Sequence, residues 1–303
     1  MYVTLKTLLL KIAQDWKQFN DKDELKIMHK YTEYGRQSIT LYSGYMITTV
    51  IVFLSFPMAS PVLDLIMPLK NGTRPKNLPY YAEYGIDLEE YYYPLMAQSL
   101  VGGVGTIVVL VSFDLEFILI VQHVIGLFSL VNFRLKKVEK MSEEIENGKV
   151  IFVKGDYLAY LYTISAIDLH KKVVEYIEII EDSYNLAWLI IMSLNMFSLI
   201  KIKLNDPNDL FRYLFGMFSI SIHFYYIFLP GQKIINSSEE VFHSCYACKW
   251  YNLSEKTKNL IKIMLLRSLK PCYLTGGKMF TMSMDTYCSM MKTGLSVFTV
   301  LNS

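Results

Sequence analysis

Four stretches of the 303-residue chain contain no Asp, Glu, Lys or Arg and are long enough, or nearly long enough, to cross a membrane. A helix needs about 20 mainly apolar residues to span a hydrocarbon core of ~30 Å. A soluble domain of this size distributes its charges more evenly along the sequence. The chain is therefore predicted to be a polytopic membrane protein. The uncharged stretches are residues 37–63, 91–113, 183–200 and 213–232.

The remaining composition excludes several other classes. A net charge of +2 is too small to indicate a nucleic-acid partner. The four cysteines are too few for a secreted disulfide scaffold. Cys245 and Cys248 lie near His243 at a spacing that a metal could use, but no second pair of ligands is close in sequence. We expect reduced structural cysteines, no metal, no cofactor and no enzymatic activity.

The hydrophobic pattern predicts an all-α protein whose residues 1–303 form one transmembrane domain. Residues 1–10 are too short to span and are predicted to be the tail of a span whose beginning is missing. Two polar helical regions, 134–182 and 231–270, are predicted to be cytosolic. The predicted spans are 38–57, 93–117, 183–204, 210–230 and 280–302.

Prolines suggest where the membrane spans end. Pro57 is predicted to stop the first complete span and to begin a long proline-containing loop over residues 58–92. The next helix is expected to run without a break to Arg134. Pro230-Gly231 is predicted to close the span at 210–230.

The distribution of basic residues predicts the orientation. Segments 11–37, 134–182 and 231–270 hold 21 of the 30 Lys and Arg residues, so the positive-inside rule places them in the cytosol. The C-terminus then lies outside, and a cytosolic N-terminus requires one further preceding span, which makes seven. Asn71, in a glycosylation sequon, lies outside and is the candidate for modification.

The helix that contains the second uncharged stretch also has three ionisable side chains, Asp114, Glu116 and His123. One hypothesis is an ion or proton path, in a transporter or a membrane enzyme, because such groups are costly when they face lipid. The other hypothesis is that the helix extends beyond the bilayer and these residues meet cytosolic water. The second is favoured, since 23 uncharged residues precede Asp114.

Several segments carry a recognisable family pattern. After residue 230 they are residues 249–252, 263–271, 274–280, 282–287, 291–293 and 298–301, and upstream they are Pro79-Tyr80, Ala82-Glu83-Tyr84 and Gln122-His123. On these segments the chain resembles the insect odorant receptor family, over essentially the whole sequence and most strongly after residue 230. By this resemblance, the five predicted spans correspond to the family's third to seventh spans, with the N-terminus inside and the C-terminus outside.

The resemblance implies an odorant-gated, non-selective cation channel in the plasma membrane of olfactory sensory neurons. The channel is expected to be a hetero-oligomer with a shared co-receptor, with four subunits. The cytosolic halves of the last four spans would form the intersubunit anchor, and the final half-span would line the pore. Ser296, Thr299, Val300 and Ser303 share one helix face by their i, i+3, i+4, i+7 spacing and are the predicted pore residues.

A volatile ligand is expected between the outer halves of the spans, in a mostly apolar cavity with a few polar groups. Three helices are predicted to contribute side chains to it. The candidates are Tyr45, Thr48, Thr49, Val52, Tyr92, Met96, Val101, Tyr213, Met217 and Phe218.

Two other functional hypotheses stay open at this point. A gustatory-type receptor channel has a similar topology, although Lys292-Thr293 and Phe298-Thr299 favour the odorant receptor ending. A truncated chain that folds without conducting is the other possibility, because family pockets also draw on the second span.

Overall fold

The computed structural model is almost entirely helical. It describes residues 2–19, 21–69, 74, 78–79, 85, 87, 90–200 and 207–301, with the side chains of 2–4, 196–200, 207–213, 297–298 and 300–301 left out of the description. The α-helices are α1 (Tyr2–Gln18), α2 (Lys22–Ser55), α3 (Ala59–Ile66), α4 (Tyr92–Glu146), α5 (Phe152–Ile200), α6 (Pro207–Ala247), α7 (Glu255–Ser268) and α8 (Met284–Leu301).

Short elements connect some of these helices. One 3₁₀ turn (Phe56–Met58) joins α2 to α3, and another (Trp250–Asn252) precedes α7. Strands β1 (Thr275–Gly276) and β2 (Phe280–Thr281) pair antiparallel just before α8. The prediction of an all-α protein is confirmed, with this small ribbon as an addition that the hydrophobic pattern did not indicate.

Three helical segments of the described chain are long and apolar enough to cross a membrane. They are Lys22–Ile66, Tyr92–Glu146 and Leu214–Ala247. At 1.5 Å per residue the 55 residues of α4 extend over about 80 Å, far more than a hydrocarbon core of ~30 Å. A large part of α4 must therefore lie outside any bilayer that it crosses.

The predictions from proline had mixed outcomes. The helix before Pro57 does end there, since α2 stops at Ser55, but no loop begins at residue 58, because Pro57 lies in the first turn of the 3₁₀ segment and α3 follows directly. The first turn of a helix tolerates proline, since its N–H has no intrahelical partner there. Pro230 does not interrupt its helix, because α6 continues through it to Ala247, and the closing of the membrane span at Pro230-Gly231 stays a prediction. There the cost of the missing hydrogen bond is offset by packing, since Pro230 and Gly231 are both buried.

Caps set the ends of the other helices. At the start of α2, the Asp21 carboxylate accepts a hydrogen bond from the Asp23 amide at 2.9 Å. At the end of α4, Gly148 adopts a positive φ of 65° and its amide bonds the Ile145 carbonyl at 3.0 Å. This left-handed cap suits glycine and turns the chain towards α5.

The chain divides into two compact units. Unit A comprises residues 1–36 and 118–303, and unit B comprises residues 37–117. In unit A, α4 is buried over nearly all of residues 118–135. The largest fully buried side chains of this core come from α4, α5 and α6 and include Phe128, Tyr176, Trp188, Phe224 and Phe228.

Unit B is a pair of long helical segments with little buried apolar surface. Among its described residues, one small apolar cluster consists of Leu78, Tyr92, Leu95 and Met96, and Tyr42 and Phe117 are also fully buried. Most side chains of residues 101–113 in α4 are exposed. An exposed apolar surface of this extent is typical of segments that lie in lipid or against further protein.

Candidate ligand and pore elements

The four α2 residues predicted to contact the ligand lie on one face of the helix. Their spacing of 45, 48, 49 and 52 is the i, i+3, i+4, i+7 pattern. Tyr45, Thr49 and Val52 are half-buried and Thr48 is exposed. The Thr48 hydroxyl donates to the Gly44 carbonyl at 2.8 Å, which satisfies it within the helix. Whether this face contacts a ligand stays a prediction.

On α4, the predicted ligand residues have very different environments. Tyr92 and Met96 belong to the core of unit B, where the Tyr92 hydroxyl donates to the Pro57 carbonyl at 3.2 Å. Val101 is 75% exposed. On α6, Met217 is half-buried and Phe218 is exposed, while the side chain of Tyr213 lies outside the described residues.

Unit B contains an apolar cleft that the sequence interpretation missed. Its volume is about 380 Å³, within the range of small-molecule sites. Ile47, Val50 and Ile51 of α2 face Val104, Val108 and Val111 of α4, with Ser43 and Ser112 at one end. By helical periodicity this α2 face is opposite to Tyr45 and Thr49. The sequence does contain a feature that indicates this cleft, namely a run of β-branched residues on each of the two helices.

Asp114 is enclosed by protein, so the prediction that it meets cytosolic water was wrong. Only 2% of the residue is exposed, and its carboxylate accepts a hydrogen bond from the Tyr42 hydroxyl on α2. Both residues belong to unit B. A charged or polar group can be buried when hydrogen bonds compensate for its lost hydration. Glu116 is half-buried.

The same prediction was wrong for His123, which is buried in unit A. Its Nε2 lies 3.0 Å from Oδ2 of Asp15 on α1. The Tyr176 hydroxyl donates to the same oxygen at 2.9 Å, and Lys172 pairs with the other carboxylate oxygen. Three helices thus converge on one carboxylate. The sequence could not indicate this cluster, because Asp15 lies in a mixed-charge segment without a distinguishing motif.

The electrostatics of the cluster favour a charged Asp15. Burial disfavours the carboxylate, but the hydrogen bonds from His123, Lys172 and Tyr176 outweigh it and hold the pKa of Asp15 below its usual value. Burial, followed by the nearby Asp15 charge, raises the pKa of Tyr176. These groups stabilise one another, and each has a structural role without any added ligand.

Of the predicted pore residues, the structure describes the side chains of Ser296 and Thr299. Both are exposed on α8, and the Thr299 hydroxyl donates to the Ser296 carbonyl at 2.8 Å. The part of the chain that the structure describes does not include the side chain of Val300. It also does not include Ser303 or the candidate glycosylation site Asn71. The pore and glycosylation assignments therefore stay predictions.

The helices α6 and α8 meet immediately before the predicted pore face. Gly231 of α6 lies so close to Met282 that a Cβ on it would come within 2.2 Å of the Met282 carbonyl oxygen. One residue later, Oε1 of Gln232 accepts a hydrogen bond from the Met284 amide at 3.0 Å. The Tyr287 ring on α8 packs against Tyr225 and Phe228 of α6, each with ring centroids 6.2 Å apart.

The four cysteines are all unbonded thiols in the structure. Cys245 and Cys248 are buried, and the Cys248 thiol donates to the carbonyls of Leu135 and Ser244 at 3.4 and 3.1 Å. Among the residues that were described, no group of three His, Cys, Asp or Glu side chains is placed to hold a metal ion.

Comparison with known proteins gives a consistent result. A family model described as 7tm Odorant receptor matches residues 4–294. The odorant receptor coreceptor of Drosophila melanogaster is 27% identical over 141 residues, which are 45% of this chain and 29% of that protein. Odorant receptor 67b of Drosophila melanogaster is 32% identical over 75 residues, 25% of this chain and 18% of that protein. The chain thus spans less than a third of the length of these curated relatives.

A solved structure shares the fold. The insect olfactory receptor OR5 from Machilis hrabei, in complex with eugenol, superposes with a TM-score of 0.74 at 15% sequence identity. The match covers 98% of this chain and 74% of that chain. At this identity the likeness establishes the fold alone.

Proposed function

We propose that this chain, which belongs to the 7tm Odorant receptor family, is the odorant-binding subunit of a ligand-gated cation channel. The observation that carries the proposal is the family match over residues 4–294, supported by a fold match over 98% of the chain. The family and the three long apolar segments make it a multi-pass membrane protein. The relatives named above are receptors and a coreceptor rather than enzymes.

The proposed partner is an odorant co-receptor, in a tetrameric channel in the plasma membrane of olfactory sensory neurons. Unit A exposes large apolar side chains in the region expected to form the intersubunit anchor. The exposed fraction is 60% or more for three side chains on α7 or at its C-terminal end, Ile263, Leu266 and Leu269. The same holds for Met279, which follows β1. Such a surface is suited to burial against another subunit.

The proposed ligand is a volatile, mostly apolar molecule. The two faces of α2 offer two alternative places for it, namely the predicted face with Thr49 and the apolar cleft with Ile47. Burial of hydrocarbon supplies most of the binding free energy in either place, at roughly 25 cal/mol per Å². A hydroxyl or carbonyl on the ligand would find only a few polar partners.

The experiment is odorant-evoked current in cells that express this chain, the co-receptor, or both, with surface labelling in parallel. We expect a current that requires both chains. Surface-expressed protein that gives no current with any volatile of a broad panel would contradict the channel proposal. Rescue by extending the chain at its N-terminus would instead identify it as part of a longer receptor.

A pair of tryptophan variants distinguishes the two faces of α2. Thr49→Trp should raise the odorant concentration for half-maximal current at least about tenfold, equivalent to 1.4 kcal/mol. Ile47→Trp, in the cleft, should change it less than about twofold. The reverse result would move the odorant site to the cleft while leaving the channel function intact.

A further inference from the structure

The junction between α6 and α8 combines a weak point in one helix with a tight contact to the next. Pro230 interrupts the backbone hydrogen bonding inside α6, which is where long helices bend most readily. Directly after it, Gly231 lets the α6 backbone approach the Met282 carbonyl more closely than any residue with a Cβ allows. A change in the bend at Pro230 would therefore act first on the segment that leads into α8.

The start of α8 depends on two different parts of the chain for its hydrogen bonds. The first N–H groups of a helix have no intrahelical partners. Ser283 supplies one partner locally, since its hydroxyl oxygen accepts from the Thr286 amide at 3.3 Å. The amide of Met284, the first residue of α8, is instead satisfied by Oε1 of Gln232 on α6. This bond joins positions 52 residues apart and is partly buried.

Gln232 is itself held in place. Its side-chain Nε2 donates to Oδ1 of Asn236, one turn later on α6, at 2.7 Å. This second bond orients the carboxamide so that the oxygen points to α8. The rings of Phe228 and Tyr287 pack beside the junction, but ring contacts restrict direction far less than a hydrogen bond does.

We propose that Gln232 is a positioning residue that couples α6 to the first turn of α8, so that a bend of α6 at Pro230 changes the placement of the pore helix. Any effect of this coupling on the current depends on the proposed channel function. It acts between the α6 residues expected to sense the ligand, such as Met217 and Phe218, and the expected pore face with Ser296 and Thr299.

The test uses three variants of the full chain. Gln232→Met keeps the length of the side chain and removes the carboxamide acceptor, while Gln232→Glu keeps an acceptor oxygen at the helix N-terminus, where negative charge is favourable. Asn236→Leu removes the orienting partner on α6 but leaves the Gln232 oxygen available to α8. It separates the orientation of the carboxamide from the presence of the acceptor oxygen.

Hydrogen exchange in the peptide containing residues 283–287 gives a readout that does not need a conducting channel. In Gln232→Met this peptide should exchange about three- to tenfold faster, because one net hydrogen bond is lost. In Gln232→Glu, exchange should stay within about twofold of the unchanged chain. In Asn236→Leu it should accelerate less than in Gln232→Met, because the Gln232 carboxamide loses its orienting partner but keeps the acceptor oxygen. Equal exchange in all four proteins would overturn the proposal, as would a greater acceleration by Asn236→Leu than by Gln232→Met.

Current gives the second readout. With surface expression unchanged, Gln232→Met should alter the ratio of ligand-free to maximal odorant-evoked current at least about threefold, and Gln232→Glu should restore it. Faster exchange with an unchanged ratio would overturn the coupling role and leave a purely structural cap. If the unsubstituted chain gives no current, the proposed channel function fails, and hydrogen exchange alone decides whether Gln232 positions α8.

Discussion

The two parts of α4 have similar apolar sequences and opposite environments. Residues 101–113, in unit B, are mostly exposed, whereas residues 118–135, in unit A, are almost continuously buried. Val109 is 69% exposed, while Ile120 and Val121 are fully buried. Hydrophobicity alone therefore does not say whether a segment is covered by its own chain or by lipid and partners.

Polar groups show the same contrast. In unit A, the Asp15 carboxylate has three partners from α4 and α5, and Glu24 binds Arg134 in a two-pronged contact with distances of 2.8 and 3.0 Å. In unit B, Asp114 accepts from Tyr42 within a region of few buried contacts. Unit A resembles the interior of a soluble bundle, where several helices contribute to each buried polar site. Unit B resembles a membrane segment, where a polar site draws on its neighbouring helix.

The largest expected effect comes from truncating an isoleucine in each unit. Ile120→Ala should destabilise the detergent-solubilised protein by about 2 to 5 kcal/mol, because it leaves a cavity in a packed core. Ile51→Ala, at a residue that is 64% exposed, should change stability by less than about 0.5 kcal/mol. Thermal unfolding measures both. A comparable fall in Tm for the two variants would mean that unit B is as closely packed as unit A.

A pH effect is expected from unit A. Burial, with a smaller contribution from Arg267, lowers the pKa of His170 to about 4, against 6.5 in an unfolded chain. Between these values the unfolded state binds more protons, so stability should fall as pH decreases from 6.5 to 4, by roughly 3 kcal/mol in total. Above about pH 7.5, where neither state binds the proton, His170 should contribute no slope.

The control for this effect is His170→Asn, which cannot titrate. When the free energy of unfolding is measured against pH, this variant should not show the decrease between pH 6.5 and 4 that is assigned to His170. An unchanged slope in the variant would show that other groups cause the acid sensitivity.

A smaller effect compares two tyrosines that each donate to an aspartate. Tyr42→Phe should cost about 1–3 kcal/mol, since it deprives the buried Asp114 of a hydrogen-bond donor. Tyr176→Phe should cost no more than about 1 kcal/mol, because Asp15 keeps His123 and Lys172. Measuring Tm for the two variants side by side shows which hydrogen bond contributes more to stability. A larger fall in Tm for Tyr176→Phe than for Tyr42→Phe would contradict the distinction drawn between the two units.

Much of the helical architecture followed from the sequence, because uncharged stretches and turn residues act locally. The long α4 and the helical character of 11–37 are examples. The helix α3 directly after Pro57 and the unbroken course of α6 through Pro230 were harder to predict, because a proline's effect depends on its position in the turn and on packing from distant residues. The partners of Asp114 and His123 were unpredictable for a related reason, since Tyr42 and Asp15 are 72 and 108 residues away in the chain.

The candidate site was less predictable than the fold. Helical spacing grouped Tyr45, Thr48, Thr49 and Val52 on one face, but it gave no indication of which face has space beside it. The cleft beside Ile47 and Val108 depends on how two helices approach each other. The Gln232 contact with Met284 likewise depends on the ribbon that precedes α8, which no periodic pattern predicted.

We propose that α4 passes from a membrane environment into a cytosolic, protein-packed one. Single cysteines at Val109 and Lys140, in a Cys288→Ser background that removes the exposed thiol, test it with a membrane-impermeant maleimide applied to either side of sealed vesicles. The cysteine at position 140 should be labelled only from the cytosolic side, and the one at position 109 from neither side. Labelling at 109 by the aqueous reagent, or labelling at 140 from the outside, would contradict the account.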